Sequence, residues 1–221
     1  SLFDGERSPP NLPLSGPPAA RHILFIVDES IRGNFLSING YEKETTPFLK
    51  SLGSRLLNFG IACSATNRSS DSNIILQSGL RMEDIPDTGQ QGLRNPNIFQ
   101  YAHLAGFKTV FISAQCGNGP THKNKNYMTV EDLKHLDEQY MLPFLYRDLK
   151  SYEADYQIIP TIDQVLQTAA SPTFIFALKM GAHFHYEDRY PQAEKVFQPT
   201  LEVPRNRRIF QPNLFYGSRM P

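Results

Sequence analysis

Three short runs of apolar residues punctuate the chain: Ile23 to Val27, Phe107 to Ala114 and Thr173 to Leu178. Each is rich in β-branched and aromatic side chains and carries apolar residues on both alternating faces, the pattern of a parallel strand covered on two sides. The first run, continued by Asp28 and Glu29, predicts a central strand. Leu56 to Cys63 reads as a further strand. Between these runs the period changes from two to that of a helix. Asn97 to Ala105 is amphipathic and closed by Gly106, and Tyr152 to Ala169 predicts a long helix before the last strand. Thr45 or Thr46 is placed to cap a helix opening on Pro47, with Phe48, Leu49 and Leu52 as its buried face. Ser69 or Ser70 suits the cap of another, with Asp71 in its first turn. Strand and helix in alternation predict an α/β fold, a mostly parallel central sheet flanked by helices.

The pattern also marks where the fold stops. Residues 1–20 hold five prolines and few apolar side chains, which predicts an extended linker. Beyond Pro191 the periodicity fails, and residues 200–221 read as an irregular tail, leaving 21–199 as the folded domain. A length of 221 residues is enough for one sizeable core. Lysine plus arginine equals aspartate plus glutamate at 22 each, so no field for nucleic acid is expected. No apolar run approaches the roughly 20 residues of a membrane-spanning helix, and no leader pattern opens the chain, so a mature or excised soluble piece is expected. Two cysteines, Cys63 and Cys116, make neither a disulfide scaffold nor a cysteine-rich zinc site; both follow strand-like runs, and composition leaves paired and free states open.

Chemistry-bearing residues gather where the apolar runs end. In open α/β sheets ligands sit outside the carboxyl ends of the strands, which is where Glu29 falls. A hydroxyl-rich turn, Ser64-Ala-Thr-Asn-Arg-Ser-Ser-Asp-Ser-Asn73, leads into a helix. Read blandly it is a capped helix start. Read functionally it offers a nucleophilic hydroxyl where free N–H groups and the helix dipole favour a phosphate. A loop at 116–127 with glycines, lysines and a histidine lies beyond the second run, and His183 and His185 follow the third after a glycine, a spacing able to hold a metal.

Taken together, these places resemble the sulfatase-like branch of the alkaline phosphatase superfamily, the bacterial phosphoethanolamine transferases above all, with lipoteichoic acid synthases nearby. Glu29, Asn39-Gly-Tyr41 and Thr45-Thr-Pro47 resemble the family's strand ending in a metal-binding glutamate, its loop and its helix start. Arg94-Asn-Pro-Asn-Ile-Phe-Gln-Tyr-Ala102 through Ser113-Ala-Gln115 resembles the helix–strand unit before the substrate loop. Met180-Gly-Ala-His183 with Arg189-Tyr-Pro191 resembles a Gly-Ser-His-Gly-Pro segment and the Arg-Tyr-Pro after it. The likeness covers about residues 20–199.

That resemblance implies a sulfatase-like fold, a zinc ion (Zn2+) held by Glu29 and Ser69, and Ser69 as the hydroxyl that accepts the phosphoryl group. Ser69 matches through Arg-Ser-Ser-Asp-Ser; Thr66, through Cys63-Ser-Ala-Thr66, is the second candidate and otherwise a substrate contact. His183 matches a histidine for substrate phosphate or a second zinc, and His185 stands where the family has proline. The implied reaction moves a phosphoethanolamine-type, or phosphoglycerol-type, group from a phospholipid donor to a cell-envelope lipid or glycan acceptor. The expected place is the periplasmic face of a bacterial inner membrane, with the membrane reached through a segment outside this chain. A sulfatase or phosphodiester hydrolase shares every step but the acceptor, and a headgroup-binding remnant without turnover shares only the site. The family's Ser-Asp-His-Gly strand, which completes its zinc site, has no counterpart here, and neither has a helix expected after Pro199. The domain is therefore expected to be incomplete on its C-terminal side.

Overall fold

The structure, a computed structural model, describes residues 6–13, 16–115, 128–142 and 152–197. Its elements in chain order are β1 (His22–Val27), α1 (Pro47–Ser51), α2 (Ser69–Ser78), α3 (Gln91–Arg94), α4 (Ile98–Leu104), β2 (Lys108–Ser113), α5 (Val130–Leu133), β3 (Glu138–Met141), α6 (Glu153–Gln167) and β4 (Thr173–Leu178), with short 3-10 turns between them. The strands form one four-stranded, wholly parallel sheet in the order β1-β4-β2-β3. This is the α/β architecture the periodicity predicts.

The sheet is covered on both faces by helices whose apolar stripes face inward. On one side α4 lays Phe99 and Ala102 over Phe111, Phe174, Phe176 and Leu178, an aromatic core with ring pairs such as Phe99 and Phe111 edge to face at 6.3 Å. On the other side α6 sets Ala154, Ile158, Ile162 and Val165 against Val110, Ile112, Ile175 and Ala177. Asn97 starts α4 by accepting from the Gln100 N–H while the Gln100 side chain accepts from the Asn97 N–H, a reciprocal cap at 2.9 Å each way. Pro160 stands inside α6.

The register decides what the strand ends can do. His22 to Val27 pairs one for one with Thr173 to Leu178, and so does Lys108 to Ser113. Three strands therefore stop level, at Val27, Leu178 and Ser113. Residues 28–29, 179–180 and 114–115 leave the sheet side by side.

Four expectations are corrected. The strand expected at the centre, β1, is at the edge of the described sheet; β4 is the strand buried at every position. Apolar composition alone does not tell an edge from a centre, and Leu24 on β1 is 43% exposed. Leu56 to Cys63 forms no strand, turning at Gly60 with a φ of +79°, and its Phe59 is 90% exposed. In α1, Phe48 is 71% exposed rather than buried. Thr45 and Thr46 do not cap that helix through their side chains. Thr45 Oγ1 instead donates to the Phe35 carbonyl at 2.7 Å and accepts the Ser37 N–H at 2.9 Å, while Thr46 Oγ1 accepts the Ile38 N–H at 3.0 Å. The pair binds the 33–41 loop to the start of α1.

Part of the segment expected as a linker is held against the domain. Arg7 is buried, in an ion pair with Asp132, and its guanidinium also donates to the carbonyls of Gly92 and Asn95 at 2.8 Å each. The tail at 200–221 and the loop at 116–127 lie outside the described residues.

Candidate active site

Glu29 leaves the carboxyl end of β1 with its carboxylate turned toward the start of α2. Its Oε1 accepts the Ser69 hydroxyl at 2.9 Å and the Ser30 hydroxyl at 3.1 Å; its Oε2 faces the Gln115 amide nitrogen at 3.3 Å. Ser30 takes a positive φ of 57° to make the sharp exit from the strand. Ser69 and Glu29 are forty residues apart in the chain and share one hydrogen bond.

Ser69 is the first residue of α2 and not its cap. The cap position belongs to Arg68, in extended conformation and without a side-chain cap bond. This corrects the expectation of a serine cap. A serine at the cap turns its oxygen back onto the helix N–H groups; at the first helical position the hydroxyl is free to point outward, and here it points to Glu29.

Thr66 is placed differently. Its Oγ1 donates to the Arg68 carbonyl at 3.0 Å, accepts the Arg68 N–H at 3.2 Å and lies 3.1 Å from Ser72 Oγ. Ser64 Oγ joins the same cluster, 2.8 Å from Ser72 Oγ. These hydroxyls shape the turn that delivers Ser69. An open cleft of about 610 Å³ runs over it, lined by polar side chains including Glu29, Thr66, Arg68 and Ser69 and by apolar ones including Ile75 and Leu80.

A second layer fixes the backbone under Glu29. The Ala182 N–H donates to the Glu29 carbonyl at 3.0 Å. Gly181 has a φ of +53°, and a Cβ there would meet Asp28 Oδ1 at 2.1 Å and the Glu29 nitrogen at 2.7 Å, so only glycine fits the crossing. Asp155, at the start of α6, accepts the Met180 and Gly181 N–H groups at 2.6 and 2.8 Å. Burial pushes its carboxyl above the usual aspartate value; those two N–H donors and the Lys179 ammonium work against the shift. Lys179 Nζ in turn pairs with Asp28 Oδ2 at 2.6 Å.

Of the residues singled out in the sequence, Glu29, Ser69 and Thr66 are brought to one cleft. His183 follows β4 on the turn that carries Ala182, but neither it nor His185 is among the residues lining that cleft. His183 Nδ1 lies 2.6 Å from the Phe184 carbonyl, and Arg189 Nε donates to the His183 carbonyl at 2.8 Å. Cys63 is exposed at the cleft's rim, and Cys116 lies outside the described residues. Gln115, Asp155 and Lys179 were not legible as site residues. Gln115 sits in the Ser113-Ala-Gln115 stretch just past a strand, a place that could have flagged it; Asp155 looks like any acid in a first helical turn.

The donor set bears on whether zinc fits. A carboxylate and a hydroxyl oxygen side by side suit two positions of a zinc ion, which takes three or four protein ligands. Among the described residues no group of three or more histidine, cysteine, aspartate and glutamate side chains is arranged to hold a metal.

Comparison with known proteins gives a consistent picture. The family model described as Sulfatase matches residues 21–211. The phosphoethanolamine transferase EptC of Escherichia coli O18:K1:H7 is 27% identical over 184 residues, which is 82% of this chain and 30% of that protein. The phosphoethanolamine transferase CptA of Salmonella typhimurium is 26% identical over 81% of this chain and 30% of its own length. Among solved structures, the soluble domain of lipooligosaccharide phosphoethanolamine transferase A from Neisseria meningitidis superimposes with a TM-score of 0.68 at 20% identity, over 90% of this chain and 55% of that one. The C-terminal periplasmic domain of EptC from Escherichia coli, solved in complex with zinc, does so at 0.60 and 24% identity, over 88% and 53%. The chain thus spans about a third of the length of these curated relatives.

Proposed function

The chain belongs to the sulfatase family, and from that premise we propose that it carries the nucleophile of a transferase moving a phosphoethanolamine-type group from a phospholipid to an envelope lipid or glycan. One observation carries the reading: the Ser69 hydroxyl, at the N-terminus of a ten-residue helix, donates to the Glu29 carboxylate at 2.9 Å inside an open cleft. A hydroxyl so placed is aligned by an acceptor, and the free N–H groups of the first helical turn suit the oxygens of a phosphodiester.

In the proposed reaction Ser69 Oγ attacks the donor's phosphorus. The new bond is Oγ–P, the bond that breaks joins phosphorus to the glycerol oxygen, and the diacylglycerol leaves as an alcohol carrying the proton lost by Ser69. An acceptor hydroxyl then attacks the same phosphorus, the Oγ–P bond breaks, and the proton lost by the acceptor returns to Ser69 Oγ. Glu29 holds the hydroxyl in line. Thr66 keeps the turn closed, and His183 and His185, which follow the turn hydrogen-bonded to Glu29 and do not line the cleft, are the residues proposed to meet the substrate outside it. Glu29 and Ser69 are the residues proposed to hold zinc; bound there, the ion would lower the pKa of the hydroxyl and offset charge on the phosphoryl oxygens.

The names of the relatives support the phosphoethanolamine group. The description of solved relatives as periplasmic domains, and of one as part of an integral membrane protein, supports the periplasmic face of an inner membrane as the working place. Among the described residues no helix is long and apolar enough to cross a membrane.

The test is capture of the covalent intermediate in the protein that carries this chain. After incubation with phosphatidylethanolamine, peptide mass spectrometry is expected to find phosphoethanolamine on Ser69, lost in Ser69→Ala and retained in Thr66→Ala. The reverse pattern moves the role to Thr66. No adduct on either hydroxyl, with donor consumed, removes the covalent mechanism.

A further inference from the structure

Residues 31–61, between the end of β1 and the hydroxyl-rich turn, fold into one module that displays its apolar side chains instead of burying them. The Thr45 and Thr46 hydroxyls tie the 35–38 backbone to the start of α1. Asn39 Nδ2 donates to the Gly33 carbonyl at 2.8 Å, and Asn58 Nδ2 donates to Asn39 Oδ1 at 2.9 Å. A Cβ on Gly33 would stand 3.3 Å from Ile61 Cγ2, so the 57–61 segment lies against the same loop. Ser37 is the one buried residue of this frame. Ile31, Phe35, Phe48, Leu57, Phe59 and Ile61 are all exposed, Phe48 at 71%, Leu57 at 74% and Phe59 at 90%.

Side chains this exposed stand off their frame rather than line a groove. A protein partner needs a packed, shape-matched core at its interface, whereas the boundary region of a bilayer takes protruding apolar side chains singly. Cations flank them. The Arg32 guanidinium lies over the Phe35 ring at 4.6 Å, and Lys43 Nζ stands 5.9 Å from the ring centre of Phe197. Arg32, Lys43, Lys50 and Arg55 face only Glu42 and Glu44, an excess of two positive charges in a chain whose total is zero. Apolar tips with aromatic and basic neighbours complement an anionic lipid surface. The place agrees. Two residues beyond Ile61, Cys63 and Ser64 line the cleft that holds Ser69.

We propose that residues 31–61 form a membrane-contact surface, which sets its apolar tips and flanking cations on an anionic phospholipid bilayer beside the Ser69 cleft. The inference rests on the proposed function for the lipid substrate that such contact would deliver. It adds a contact made by this chain itself to any made by a segment outside it.

The experiment is co-sedimentation of this chain with vesicles of phosphatidylethanolamine and phosphatidylglycerol, beside vesicles of phosphatidylcholine alone, with the circular dichroism of each variant recorded. The expected result is binding to the anionic vesicles that weakens as salt rises. Phe59→Ser and Phe48→Ser are each expected to lower that affinity by about 10- to 100-fold, the range for withdrawing one phenylalanine from an apolar phase. Ile159→Ser, which removes an exposed apolar side chain on α6, is expected to bind as the parent does. No binding to the anionic vesicles overturns the inference, and so does equal binding to phosphatidylcholine. Affinity that all three variants lower alike, or that neither phenylalanine variant lowers, overturns it as well. Self-association in vesicle-free buffer that Phe59→Ser abolishes, with no vesicle binding, would assign the module to a second copy of the chain instead. Should Phe59→Ser lose the parent's dichroism, Phe48→Ser decides. Vesicle binding needs no turnover, so a missing Ser69 adduct leaves it standing, and its own failure leaves the adduct test untouched.

Discussion

Asp155 shows how much of the site is held by residues that touch no substrate. It belongs to α6, yet its two oxygens close the Met180–Gly181 turn on which the Glu29 backbone rests. Burial raises its carboxyl above the ordinary value of 3.8, more than the two N–H donors and Lys179 lower it. A raised folded-state value means the folded chain holds this proton more tightly than the unfolded one. The stability the group contributes is then greatest below the unfolded value and declines as pH rises through the folded one. In Asp155→Asn the site no longer titrates and one N–H loses its acceptor, an expected loss of about 1–3 kcal/mol. Thermal unfolding of both forms from pH 3 to 7 should show the parent's advantage largest at the acid end. An advantage that grows with pH would mean the two N–H bonds and Lys179 outweigh burial.

At the scale of elements, β1 carries the conflict between composition and position. Phe25 and Val27 pack on the aromatic side, with Phe25 tilted on Phe176 at 5.4 Å, while Ile23 at the strand's start stays 40% exposed. Leu24 and Ile26 face the other side, beyond the helix that covers β4 and β2, and remain 43% and 45% exposed. An apolar edge strand with unpaired backbone groups is a template for self-association. Leu24→Lys is expected to lower the self-association of this chain, read by light scattering across a concentration series, without changing its circular dichroism. Scattering unchanged by that substitution would place the contact elsewhere, for example at Phe59. The same strand shows what a run of apolar letters can and cannot say: it marked β1 as a strand ending at Val27, one residue short at the start, while its edge position among the described strands is not written in those six residues.

At the scale of the whole molecule, residues 6–8 bind distant parts together. Arg7 reaches Asp132 at the start of α5 and the carbonyls around α3. Asp132 also accepts the Asn97 amide at 2.7 Å and the Thr129 N–H at 2.7 Å. Ser8 completes the strap: its N–H donates to the Arg94 carbonyl at 2.8 Å and its carbonyl accepts the Gln100 amide at 3.2 Å. Removing one member of a buried ion pair leaves the other charged and unpaired, at about 3–5 kcal/mol. Arg7→Ala should therefore destabilise the chain by that amount in urea unfolding, and Arg7→Lys should recover only part of it, since an ammonium lacks the planar fork that serves two carbonyls and a carboxylate at once. Full stability in Arg7→Ala would show that the segment is a passive tether.

The sequence by itself determined the parts whose cause is local. The Thr173–Leu178 strand, the Asn97 start of its helix and the parallel α/β class were legible, because periodicity and cap chemistry act over a few residues; the pairing of Glu29 with Ser69 is what the family resemblance implies. Only the tertiary structure decided which of the described strands lies at the centre, that Leu56 to Cys63 pairs with none of them, that Arg7 is buried in what composition reads as a linker, and that Gln115 contacts Glu29 while Asp155 holds the turn beneath it. The unpaired stretch aside, each is a relation between segments 25 to 151 residues apart, from Asp155 with Met180 to His22 with Thr173. Its physical cause is contact made only in the folded chain, the register of the parallel strands and the burial of Arg7 against Asp132, which no single stretch contains.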